Sequence, residues 1–212
     1  MTRRISAAFN AAEREELARL KSPEDVQQLV DGMAYHDEIT CRSPRRVLRD
    51  RKAHCFEGAM LAAAALESLG HAPMVVDMGA VRDDAHVIAL YRKHGCLGAI
   101  GKSNFSGLRY RAPVYRTLRE LVMSYFDDYF NSEGERTLRS YSLPLKLTEQ
   151  VYRGWRVAEE DLDPIGDHLD RLHHYRLMTA RQERDLVPVD PRRLAAGLLG
   201  ANEKGLWRPD KA

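Results

Sequence analysis

The sequence is short of several things, and each shortage excludes a class. Three cysteines in 212 residues, Cys41, Cys55 and Cys96, are odd in number and far apart, so they form no disulfide framework. A reducing compartment, the cytoplasm, is the simplest expectation. No apolar run reaches the roughly 18 residues of a membrane span. The opening MTRRISAAFNAAEREEL has basic residues but no apolar stretch of the kind a secretory signal needs. Excess charge is lacking too: a net charge of +2 gives no bulk attraction to nucleic acid. No internal repeat is present. What remains, 44% hydrophobic and 30% charged, suits a folded core under a charged surface.

Local signals predict a helix over 5–20. A second begins after Ser22, with Pro23 in its first turn and Asp25 completing a capping-box pattern, and runs to about Met33. A short basic helix is opened by Pro44 and capped by Ser43. The Ala-rich stretch from Phe56 to Leu69 is apolar all round and is followed by Gly70, a typical residue just past a helix end. Three apolar runs then read as strands in hairpin order: APMVVDM, AHVIALYR and CLGAIG, the last reached by a turn at KHG. Helix followed by strands in hairpin order predicts an α+β fold. Residues 114–130 predict an amphipathic helix with Leu118, Leu121, Val122, Tyr125, Phe126 and Tyr129 on one face. TLRSYSLPL suggests another strand, and Ile165 to Arg184 a polar helix. Asp190 caps a last short helix opened by Pro191, and the tail NEKGLWRPDKA is expected to fray or to be held by Trp207 alone. The organisation expected is an N-terminal helical segment (1–44), a core (45–147) and a C-terminal helical extension (148–212), compacted into one domain.

The chemistry-bearing feature is Cys55, at the head of the Ala-rich helix. A helix N-terminus favours a thiolate through unpaired N–H groups and the dipole, which predicts a lowered thiol pKa. His86, opening the second strand, is the candidate base. Glu57, two residues past Cys55, falls on the first turn and is expected to assist the helix N-terminus rather than catalysis. The stretch RSPRRVLRDRK holds Arg42, Arg45, Arg46, Arg49, Arg51 and Lys52 and leads straight to Cys55. A solvated face is one reading and an anion-binding rim another. In the second, Arg45, Arg46 and Arg49 bind substrate, with Arg109 and Arg111 adding to them. The run has few aromatics, so nucleic-acid binding is a minority reading. GAIGKS contains Gly-Lys-Ser, but a phosphate-binding loop needs glycine at position 96, which is Cys. DHLDRLHH offers Asp167, His168, Asp170, His173 and His174 without a metal-binding spacing, and a polar helix surface is expected there, with no metal.

The ordered set HCFEGAMLAAAALESLGHAPMVVDM, DDAHVIALY and LGAIGKSNF resembles the core of the transglutaminase-like, papain-related superfamily over about residues 45–105. The resemblance implies a papain/transglutaminase-like core with a nucleophile helix packed on an antiparallel sheet, Cys55 as nucleophile and His86 as base. It also implies an acidic residue on the next strand to orient the histidine. That strand continues into Gly101, Lys102, Ser103 and Asn104 and holds no acid. Asn104 is the expected substitute, its side-chain oxygen bonded to a His86 ring nitrogen, with Ser103 and Asp84 as the alternatives in that order. The function implied is thiol-dependent hydrolysis or acyl transfer on a peptide, amide or other acyl substrate, without cofactor. The alternative is a catalytically degenerate module that binds an anionic ligand or a protein partner.

Overall fold

The computed structural model describes residues 7–208. Helix α1 (Ala11–Arg19) is followed by α2 (Pro23–Asp31), β1 (Ala34–Tyr35), α3 (Pro44–Asp50), β2 (Lys52–Ala53) and α4 (Cys55–Ser68). Next come β3 (Met74–Ala80), β4 (His86–Lys93), β5 (Cys96–Gly101), β6 (Arg111–Tyr115), α5 (Leu118–Met123), β7 (Leu138–Ser142) and β8 (Leu145–Lys146). The chain closes with α6 (Asp163–Arg171), β9 (His174–Arg176), α7 (Ala180–Arg184) and α8 (Pro191–Gly197). The fold is α+β: a 7-stranded sheet, ordered β6-β5-β4-β3-β7-β9 with β8 also paired to β3, is antiparallel at every pairing.

Both faces of this sheet are covered, which is why its central strands read as unbroken apolar runs. Val75, Val87, Ala89, Tyr91 and Ile100 point to one face and pack with α4. Their alternates Val76, Met78, Ile88, Leu90 and Ala99 point to the other, where Leu121, Val122, Tyr125, Tyr129 and Phe130 cover them. Helix α4 is buried on nearly every side, as an all-round apolar helix must be. Its alanines let α2, α3 and the sheet approach together. Gly70, at φ 92°, ends it in the left-handed region that glycine adopts without strain. The core around α4 draws Phe9 and Leu17 from the N-terminal segment and Trp155, Ile165 and Leu169 from the C-terminal one, so the three expected segments share one interior.

Caps fall where the sequence puts them for α2 (Ser22 with Asp25), α3 (Ser43) and α8 (Asp190). The hairpin turn between β4 and β5 places His94 and Gly95 both at positive φ, 51° and 79°. Three expectations need correction. The first helix starts later than residue 5, because Asn10 caps it in a capping box with Glu13; positions 5 and 6 lie outside the described residues. The long helix over 114–130 is instead the end of edge strand β6, the short α5 capped by Thr117, and a 3-10 turn at Phe126–Asp128. The expected inner face survives that change, since Leu121, Val122, Tyr125 and Tyr129 are all buried. The helix over 165–184 is broken by β9, which pairs Ser142 with His174 and Tyr141 with Tyr175.

Candidate active site

Cys55 is the first residue of α4 and His86 the first of β4. Antiparallel pairing sets His86 opposite Met78 of β3, and α4 lies across these strands. The two side chains line one narrow cleft with Tyr35, Asp83, Asp84, Ser103, Asn104, Leu108, Tyr129, Gly205 and Trp207. His86 is buried, and its Nε2 lies 2.9 Å from the Leu108 carbonyl oxygen. A carbonyl can only accept, so Nε2 carries the ring proton and Nδ1 holds the free lone pair. Two neighbours fix that ring. Tyr129 meets it edge-on, with ring centroids 6.3 Å apart, and donates its hydroxyl to the carbonyls of Met78 (3.1 Å) and Asp84 (2.9 Å). Gly101 leaves the ring its space: a Cβ there would sit 3.1 Å from Nε2 and 3.0 Å from the Leu108 oxygen.

The resting protonation state differs from the expected one. Burial pushes the Cys55 thiol up to about 11, against the opposing pull of the Val87 backbone. The helix-head effect is outweighed because the thiol loses more hydration than the first turn of α4 returns. Burial also pulls His86 down to about 4, against the Leu108 hydrogen bond. The pair therefore rests as neutral thiol and neutral imidazole at neutral pH. Cys55 donates to the Ala85 carbonyl at 3.6 Å, and among the described residues no hydrogen bond joins it to the His86 ring.

The third-member expectation is corrected in its geometry. Asn104 does not reach His86; its oxygen accepts from the Asn202 N–H at 2.7 Å and its amide donates to the Asn202 carbonyl at 2.8 Å. Ser103 accepts from the Phe105 N–H at 3.0 Å. Asp84 lines the cleft, and its backbone N–H donates to the Asp83 carboxylate. The orienting acceptor is a main-chain carbonyl, Leu108, on the loop after β5. Sequence reasoning missed it because a backbone group leaves no side-chain signature. It also missed Tyr35, Tyr129 and Trp207 as cleft walls, since each reads as ordinary apolar patterning.

The basic run is not a free anion-binding rim. Arg42 is bound to Glu57 and Asp50, Arg45 to Glu13, Arg46 to Asp161, Arg49 to Asp50 and Glu159, and Arg51 to Glu16. These pairs hold α3 to α1 and to the 159–161 loop, so the charges serve assembly. Arg109 pairs with Asp31; Arg111 lies over the Tyr125 ring at 3.9 Å and binds Ser124. None of the five expected substrate-binding arginines lines the cleft with Cys55. Lys102 of the GKS stretch is buried, and its ammonium donates to the carbonyls of Met33 and Asp31, not outward to a phosphate.

Glu57 does support the helix head, accepting from the His54 N–H at 3.3 Å. It is also wholly buried at the centre of a larger network, with Arg42 Nε at 2.8 Å, Thr40 Oγ at 2.7 Å and His36 Nδ1 at 3.1 Å. Burial alone would raise its pKa, but Arg42 and His54 prevail and hold it near about 2. His36, His54 and Glu57 are close enough to share a cation. Arg42, however, already places its guanidinium against both Glu57 oxygens and His36, where such an ion would stand. The DHLDRLHH stretch is divided between α6 and β9, and His174 binds Asp77 at 2.9 Å. Among the described residues no helix is long and apolar enough to cross a membrane. No family model matches this chain, and no curated protein matches it significantly.

Proposed function

We propose that this chain is a thiol-dependent enzyme of amide or related acyl bonds, with a papain/transglutaminase-like core and a cytoplasmic place of work. The observation that carries the reading is the shared cleft. In it a cysteine heads a helix and a histidine heads a strand, and the histidine's Nε2–H is committed to the Leu108 carbonyl. That commitment leaves Nδ1 as the basic nitrogen, the role an orienting third member serves in thiol catalysis. His86 Nδ1 takes the proton from the Cys55 sulfur as the sulfur attacks the carbonyl carbon. The oxyanion that forms is met by N–H groups of the first turn of α4, which have no partner within the helix. The proton passes from His86 to the leaving amine, and an acyl-thioester remains. Water then attacks in hydrolysis, or an amine in transfer, and the thiol is restored. Because the pair rests neutral, proton transfer accompanies attack rather than preceding it.

One observation favours the alternative, a binding module without turnover: the thiol is bonded to Ala85 and not to His86. A single experiment separates the two. The native protein is incubated with p-nitrophenyl acetate, and intact mass with peptide mapping locates the acyl group. The enzyme reading expects acetyl on Cys55, slowed at least about 100-fold in His86→Ala, the usual contribution of a general base. Acylation elsewhere, or an unchanged rate in His86→Ala, leaves the binding module.

A further inference from the structure

The Cys55–His86 cleft has a free volume of only about 40 Å³. Ligand pockets run to roughly 300–1,000 Å³. Larger hollows exist, such as one of about 630 Å³ between Glu13, Arg45 and Glu159, but its walls are the ion pairs that join α1 to α3. Two residues of the chain's own C-terminal segment, Gly205 and Trp207, form part of the cleft wall together with the residues proposed to react.

Contacts along its length hold this segment, and within it Leu206 packs against the core on the sheet face covered by Leu121, Val122 and Tyr125. Asn104 grips both backbone groups of Asn202, accepting from its N–H and donating to its carbonyl. A 3-10 turn at Glu203–Gly205 follows, capped by the Asn202 side chain at the Lys204 N–H. Gly205 then lies so close to the Tyr35 ring that a Cβ would stand 2.3 Å from Tyr35 Cε1. Beyond it, Ser132 donates to the Trp207 carbonyl at 3.1 Å. The grip by Asn104 reads main chain, not a side chain, so it would hold any peptide presenting one residue in that pose. The Tyr35 contact admits only a residue without a side chain.

We propose that residues 202–207 are a self-docked peptide that closes the cleft, and that the ligand which displaces them is a peptide segment with glycine against Tyr35. The proposal rests on Cys55 and His86 being the reactive pair. It explains why the cleft at that pair is so small and why Asn104, which lines the same cleft, is turned to another task. Three hydrogen bonds, the close packing of Gly205 on Tyr35 and the contact of Leu206 with the core favour the closed state without locking it.

The test compares full-length protein with Gly205→Val and with Trp207→Ser. Each is treated with iodoacetamide at about pH 9, where part of a thiol population is ionised, and the labelling of Cys41, Cys55 and Cys96 is mapped. Opening the segment should accelerate Cys55 at least about tenfold and leave Cys41 and Cys96 unchanged, since the apparent reactivity scales with the open fraction. A synthetic peptide with the sequence of positions 200–208 should slow Cys55 again in Gly205→Val, and the same peptide carrying Gly205→Val should not. Unchanged Cys55 rates in both variants, or equal acceleration of all three cysteines, would overturn the proposal, as would failure of the peptide to protect. Hydrogen exchange on the unmodified protein adds a variant-free check: the Asn202 amide should exchange by local opening, and exchange only through global unfolding would count against it. A variant that alkylates Cys55 quickly yet forms no acetyl adduct keeps the self-docked segment and removes the enzyme reading.

Discussion

At the scale of the residue, the Cys55–His86 pair is a balance between burial and position. Cys55 stands where a helix would stabilise a thiolate, and His86 where the proposed mechanism calls for a base, but His86 is buried, Cys55 is half-buried, and both are pushed toward their neutral forms. This fixes an expected pH profile. Alkylation of Cys55 should be slow at pH 7 and rise about tenfold per pH unit toward about 11, because only the thiolate reacts. A plateau near neutral pH would instead show that the thiolate is already formed beside an imidazolium. Much of this site was legible in the sequence. A cysteine before an Ala-rich helix and a histidine opening an apolar strand are side-chain signals, and both residues lie where the pattern puts them. The orienting group was not legible, because it is the carbonyl of Leu108, and any residue at 108 would supply one. Asn104 has the right chemistry for that task, but the pull of the Asn202 backbone, almost a hundred positions away, could not be read locally.

At the scale of the element, charge and period were read correctly as types and wrongly as destinations. The apolar period across 114–130 marks the residues that face the core, yet Thr117 starts a helix too late and Ser124 ends it too soon for that period to become one rod. The basic run read either as a solvated face or as a surface offered to an anion. In the structure it is a clasp: the arginines of α3 are answered by carboxylates from α1 and from the 159–161 loop, and Arg42 before it by Glu57 of α4. The inner member of that clasp, Arg42 with Glu57, ties the segment before α3 to the head of α4. Both side chains are almost fully enclosed. Removing the Glu57 charge leaves the Arg42 guanidinium with only the partly exposed Asp50 as counter-charge. Glu57→Gln should therefore destabilise by about 2–3 kcal/mol, below the roughly 3–5 kcal/mol cost of stranding a buried ion outright. Urea denaturation followed by circular dichroism measures it. A loss under about 1 kcal/mol, the value of an exposed pair, would mean that water reaches Arg42 and that the clasp is peripheral.

At the scale of the whole molecule, the same burial that sets the site sets the response to acid. Two groups facing one cleft act in opposite directions. His86, near about 4 when folded against an ordinary 6.5, takes up its proton only on unfolding over that interval. Its contribution is present above 6.5 and is lost as pH falls toward 4, at about 1.4 kcal/mol per pH unit. Asp83 is raised to about 6 by burial, against the opposing hydrogen bond from Thr137. Its folded form holds a proton that the unfolded chain releases, so its contribution is present below its ordinary 3.8 and is lost as pH rises through about 6. Between about 4 and 6 the two slopes run against each other, and this pair leaves the stability of the intact protein nearly level there. Single substitutions should unmask each side. Relative to the unmodified protein, Asp83→Asn should lose stability as pH is lowered from 6.5 to 4, while His86→Gln should gain it over the same interval, the other titrating groups cancelling in each difference. Urea midpoints measured across that range decide the matter. Parallel curves for the two variants would show that one cleft does not set both titrations.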